Sequence, residues 1–198
     1  FPVHFNNGLP DIQRVNVPNG SAWYLYEHQG ELLCLHDKGI FLVNGKEAQR
    51  VTDVIGAWSC RAVKGRPDLL FVGVYEGIYL LRKVDGKWVS QGRIHGIVDS
   101  GRYFEQTEPY TLKVFTPRMD KAIVYELESN YLNVKSQRNV NEKYNNQDAH
   151  EISSIFNDWD VSENIVHINK NLEVIPYDKG FVMLNRQKIR NDQREVHI

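Results

Sequence analysis

Six side chains are the candidates this sequence offers for binding chemistry: Trp23, Trp58, Arg61, Arg102, Tyr103 and Phe156. Aromatic faces combined with guanidinium forks can hold sugars or carboxylates. The same residue types also pack flat between sheets as ordinary core, so both readings stand at this stage. Other chemistries find less support. Seven histidines are present (His4, His28, His36, His95, His150, His167 and His197), but none pairs at metal-ligand helical spacing and no HExxH occurs. Solvated turn histidines are expected, with no metal and no cofactor. Asp158, Asp160 and Glu163 are acidic neighbours, yet the twelfth residue from Asp160 is Asn171, so a calcium loop fails. Asp99-Ser100-Gly101 lacks the G-x-S-x-G frame, and no phosphate-binding glycine loop is present. Glu105 and Asp99 are candidates for a hydrolytic carboxylate pair, but no spacing supports them. No enzyme activity is expected.

Cys34 and Cys60 both lie in apolar segments. Buried thiols behave as small hydrophobes, and the alternative is a bond between neighbouring repeats. Asn19-Gly20-Ser21 matches a glycosylation pattern but also reads as a turn. The 198 residues carry 24 Lys and Arg against 25 Asp and Glu, a formal net charge of −1. That balance argues against an electrostatic grip on nucleic acid or an anionic membrane. No apolar run approaches the length of a membrane span. The chain begins at Phe1, as expected of a mature form or of a piece of a longer protein.

These residues need elements to position them, and the elements come from a repeat. Four segments share one shape: 31–43, 69–81, 112–127 and 172–184. Each reads as an apolar strand, a polar turn and a second apolar strand. The turns end in Gly39, Gly77, Ala122 and Gly180. Glycine suits a turn end because it alone adopts positive φ at little cost. Ala122, with extra residues before it, predicts a longer turn in the third copy. A short strand precedes each hairpin: 22–26, 58–63, 102–105 and 152–156. A fourth strand follows at 48–52, 87–91, 132–135 and 194–198. Turn signals separate them at Asn44-Gly45, Gly65-Arg66-Pro67, Asp85-Gly86 and Glu108-Pro109. Residues 139–151 read as a long polar surface loop.

Four antiparallel strands in roughly 40–45 residues is the period of a β-propeller blade. No segment shows an apolar stripe at helical spacing. The sequence therefore predicts a single all-β, propeller-like domain of about four blades, at 20–52, 57–91, 100–135 and 150–198. It closes as a small ring or forms an open partial propeller, and a second copy covering its edges as a homodimer is a further arrangement. Residues 1–19 supply a strand that can close the last blade. The first strand of each blade would line the axis, bringing the six aromatic and arginine side chains together.

Residues 70–81, then Gly86-Lys87-Trp88, then 100–105 resemble the regulator-propeller repeats of hybrid two-component sensors of Bacteroidetes. Residues 144–184, ending in Asp178-Lys179-Gly180-Phe181, resemble the last blade of such a region. The resemblance covers about residues 20–185. The third repeat departs from it, lacking the Trp-containing strand and the glycine turn. The family implies a periplasmic or otherwise extracytoplasmic sensor region, membrane-tethered in the parent sensor, that recognises carbohydrate breakdown products without catalysis. It also implies signal transfer to downstream modules that are absent from these residues. An oligosaccharide is the implied ligand. A protein-interaction scaffold using blade edges and a propeller lyase or hydrolase are the alternative functions.

Overall fold

A computed structural model describes residues 4–6, 9–11, 15–116, 121–141, 166–169, 172–177 and 180–185. The chain divides into two compact units, Phe1–Glu142 and Lys143–Ile198. Among the described residues every regular element is a strand, so the protein is all-β.

The first unit opens with a hairpin of β1 (His4–Asn6) and β2 (Leu9–Asp11). Three four-stranded antiparallel meanders follow. The first sheet holds β3 (Ala22–His28), β4 (Glu31–His36), β5 (Gly39–Asn44) and β6 (Glu47–Thr52). The second holds β7 (Ser59–Val63), β8 (Arg66–Gly73), β9 (Ile78–Val84) and β10 (Lys87–Arg93). The third holds β11 (Phe104–Glu108), β12 (Thr111–Phe115), β13 (Lys121–Leu127) and β14 (Val134–Asn141). In each sheet the spatial order is the chain order. The glycine-ended turns form as the sequence predicts. His36 pairs with Gly39 around a two-residue turn, and Gly39 has φ +138°.

The sheets stack face to face, and the alternation along β8 shows why. Leu70 and Val72 join Leu33, Leu35, Ile40, Cys60 and Leu81 in one apolar cluster between the first and second sheets. Leu69 and Phe71 join Leu80, Phe104, Leu112, Val114 and Tyr125 in another between the second and third. A strand buried on both faces must read as an unbroken apolar run, because successive side chains point to opposite faces. All four of Leu69–Val72 are fully buried. Inner strand β3 contacts inner strand β7, and outer strand β6 contacts outer strand β10, so the sheets keep one orientation. The stack does not close on itself. The three sheets of the first unit are consistent with an open partial propeller.

A glycine seam fixes the second sheet to the approach of the third. Gly101 N–H donates to the Val74 carbonyl at 2.9 Å, and Gly77 N–H donates to the Asp99 carbonyl at 2.9 Å. Ser59 Oγ donates to the Gly101 carbonyl at 2.7 Å. A Cβ on Gly73 would overlap the Gly101 carbonyl, and one on Gly101 would overlap the Gly73 backbone. The first sheet is joined to the second by a related contact, in which Gly56 N–H donates to the Asp37 carbonyl at 3.3 Å. At the outer side, Trp88 Nε1 donates to Glu31 Oε2 at 2.8 Å, and Lys83 pairs with the same carboxylate at 2.8 Å.

Some boundaries move. The strand expected at 102–105 begins at Phe104, which leaves Arg102 in the approaching segment. β8 begins at Arg66, inside the expected turn. The strand expected at 132–135 runs from Val134 to Asn141, into the segment expected to be a loop. Most of the expected long turn before Ala122 lies outside the described residues. In residues 1–19, Asn16 forms a parallel bridge to Glu47, against outer strand β6 of the first sheet.

The second unit contains a three-stranded antiparallel sheet of β15 (Val166–Asn169), β16 (Leu172–Tyr177) and β17 (Gly180–Asn185). β16 and β17 are the hairpin expected from the fourth repeat, with Tyr177 paired to Gly180. β15 was not anticipated. The strands expected at 152–156 and 194–198 lie outside the described residues, as do Asp158, Asp160 and Glu163.

Candidate functional site

Four of the six expected side chains meet at one end of the stacked sheets. Trp23 occupies the extra position of a β-bulge, since Ala22 pairs with His36 and Tyr24 with Leu35. Bulges redirect side chains out of the regular alternation. Here the indole turns toward the neighbouring sheet and lies 4.3 Å from the Trp58 ring, centroid to centroid. Trp58 immediately precedes β7 and is anchored by its backbone N–H to the Gly73 carbonyl at 2.9 Å. The Arg102 guanidinium carbon lies 5.0 Å from the Trp58 ring centroid and 5.5 Å from that of Tyr103. Both are cation–π distances. The glycine seam is what delivers Arg102 to this place, one residue beyond Gly101. Trp23, Trp58 and Arg102 are all half-buried, and Tyr103 is buried.

Two members of this row were not singled out in the sequence. Asp37, in the β4–β5 turn, accepts from Trp23 Nε1 at 2.6 Å and from Ser21 N–H at 2.8 Å. The Ser21 bond holds its carboxyl below the ordinary aspartate range; partial burial opposes this and the indole reinforces it. Tyr75, in the β8–β9 turn, packs edge-on against Trp58 at 4.8 Å. Its ring lies where a Cβ on Gly56 would be, and Gly56 has φ +67°. A glycine at 56 thus serves both the backbone and the tyrosine. Tyr75 is 49% exposed, which leaves much of its surface to solvent.

Arg61 is not part of the row. Its guanidinium donates to the Cys60 carbonyl at 2.7 Å and lies 5.9 Å from the Tyr24 ring centroid. Phe156 lies outside the described residues. Trp58 Nε1 is a buried donor with no hydrogen-bond partner among the described residues.

Beside the row is an open groove of about 590 Å³ between the first and second sheets. Its lining includes Asp53, Ile55, Tyr75, Glu76, Tyr79 and Arg93. Its volume falls inside the roughly 300–1,000 Å³ typical of small-ligand sites. Tyr75 belongs to both features: one side of the residue meets Trp58 and the other meets the groove.

The carboxylates weighed for hydrolysis are engaged elsewhere. Asp99 accepts from the Tyr125 hydroxyl at 2.5 Å, and Glu105 lies 3.7 Å from Lys113 Nζ. Cys34 and Cys60 are buried free thiols. Burial pushes both thiols above the ordinary cysteine range. Among the described residues, no three His, Cys, Asp or Glu side chains come together as a metal site, and no helix is long and apolar enough to cross a membrane. The fold and site define an all-β, propeller-like chain with an aromatic and guanidinium cluster at one end of its sheets. No family model matches the chain, and no curated protein matches it.

Proposed function

We propose that this chain is a non-catalytic ligand-binding segment of a propeller sensor, taking carbohydrate-derived signals outside the cytoplasm and serving a two-component system. One observation carries the binding part of this reading. Trp23 of the first sheet, Trp58 just before the second, and Arg102 and Tyr103 just before the third converge into one row, half-buried except at the buried Tyr103 and flanked by a groove of small-ligand size. The sensory and extracytoplasmic parts rest on the resemblance of residues 70–105 to regulator-propeller repeats. The engagement of Asp99 by Tyr125 and the nearness of Glu105 to Lys113 favour binding over hydrolysis.

A ligand that binds only the folded state raises stability by RT ln(1 + [L]/Kd), about 2.7 kcal/mol at one hundred times Kd. A thermal-shift screen against oligosaccharides should give a concentration-dependent rise in Tm, with the sugar recovered intact by chromatography. A flat response across the panel at millimolar sugar would overturn the reading. So would turnover that disappears in Glu105→Gln.

A further inference from the structure

Resting on that reading, we infer that the groove between the first and second sheets is the ligand seat, and that it takes an uncharged oligosaccharide. The groove has two aromatic residues in its wall, Tyr75 from the β8–β9 turn and Tyr79 from β9. Tyrosine faces suit the C–H face of a sugar ring, while the phenol hydroxyls remain available at the rim. Among the described residues, Tyr75, Glu76, Tyr79 and Arg93 make no hydrogen bond or ion pair through their side chains. They are therefore uncommitted donors and acceptors around one space. Asp53, by contrast, pairs with Arg50 at 3.1 Å.

Charge decides the class of sugar. The lining carries Asp53 and Glu76 against Arg93, and Arg50 offsets Asp53. The groove is thus close to neutral and presents both signs, so Glu76 can accept from sugar hydroxyls while Arg93 donates to them. An acidic sugar would gain Arg93 but face Glu76. The Arg93 stem passes over Gly77, where a Cβ would sit 3.1 Å from Cδ, and Arg93 lines the same groove as the two tyrosines. The wall is also coupled to the aromatic row. Tyr75 cannot shift without disturbing its edge contact with Trp58, whose ring meets both Trp23 and Arg102.

The test is isothermal titration calorimetry of the full chain with maltotriose, cellotriose, xylotriose and mannotriose, and with trigalacturonate as the acidic arm. At least one neutral trisaccharide should bind more tightly than trigalacturonate. Tyr79→Ala, Glu76→Gln and Arg93→Ala should each weaken that binding about tenfold, whereas Lys87→Ala, an exposed change outside both the groove and the row, should leave it within about threefold. Glu76 and Arg93 are exposed, so their variants keep the test valid if Tyr79→Ala folds poorly. Binding that survives both exposed-residue changes but is lost in Trp23→Phe would place the ligand on the row, overturning the groove while sparing the sensor reading. Tighter binding of trigalacturonate would overturn the uncharged class. Absence of binding by every sugar would overturn both readings together.

Discussion

Gly73→Ala adds one methyl group to the end of β8. In most strand interiors this helps, because glycine costs roughly 0.5–1 kcal/mol relative to alanine. Gly73 does not occupy the left-handed region, so the new residue meets no backbone strain of its own. What it meets is the Gly101 carbonyl, and that collision cannot be relieved by rotating a side chain. The carbonyl must move. Moving it breaks the Ser59 bond and loosens the pairs Gly101–Val74 and Gly77–Asp99. Each hydrogen bond is worth about 1 kcal/mol net, and overpacking adds about 1–3 kcal/mol. After the propensity gain, the net loss is about 3 kcal/mol, a large share of a stability of roughly 5–15 kcal/mol. Urea denaturation followed by circular dichroism measures it. Ser59→Ala, which removes only one bond of the seam, should cost about 1 kcal/mol. Gly86→Ala provides the contrast: its methyl meets nothing within 4 Å, and its φ of +76° limits the cost to about 1–2 kcal/mol. A Gly73→Ala protein as stable as the parent would refute the seam and the placement of Arg102 that depends on it.

Two other outcomes follow from burial. Desolvation, and then the bond to Asp99, raise the Tyr125 hydroxyl well above the ordinary tyrosine range. Its contribution is therefore fully present below about pH 10 and lost as pH rises past that value, at up to about 1.4 kcal/mol per unit. Tyr125→Phe should be less stable near neutrality but lose less stability on going to alkaline pH, as read from urea midpoints at pH 8 and above. Parallel curves for parent and variant would contradict the bond's role. Cys34 and Cys60 should not react with a thiol reagent in the native protein and should both react once it is unfolded. Rapid native labelling of Cys60 would show that the faces between the first two sheets are open.

The meander was legible because its signals are local. Gly39 and Gly77 mark turns that need positive φ, and Leu69–Val72 is apolar without interruption because both faces of β8 are covered. The seam was not legible, because the demand on Gly73 and Gly101 comes from a backbone approach across sheets rather than from either residue's neighbours. Counting inner-strand residues found Trp23, Trp58, Arg102 and Tyr103 for a partly different reason than the one that applies. Trp23 is aimed by a bulge, and Arg102 precedes its strand. The same rule included Arg61, which bonds its own strand, and passed over Asp37 and Tyr75, which come from turns. Arriving at one end of a stack from both strands and turns is a three-dimensional property. Nothing in the spacing of residues 37, 58, 75 and 102 encodes it.

In the proposed function, ligand binds at the end of the sheets where the row and the groove meet. Hydrogen–deuterium exchange on the intact chain, with and without saturating neutral oligosaccharide, tests it most directly. Binding there should slow exchange in residues 52–58, 73–79 and 99–103, with no change in the turns at Gln29-Gly30 and Lys64-Gly65. Protection confined to those two turns, or none anywhere under saturating sugar, would contradict it.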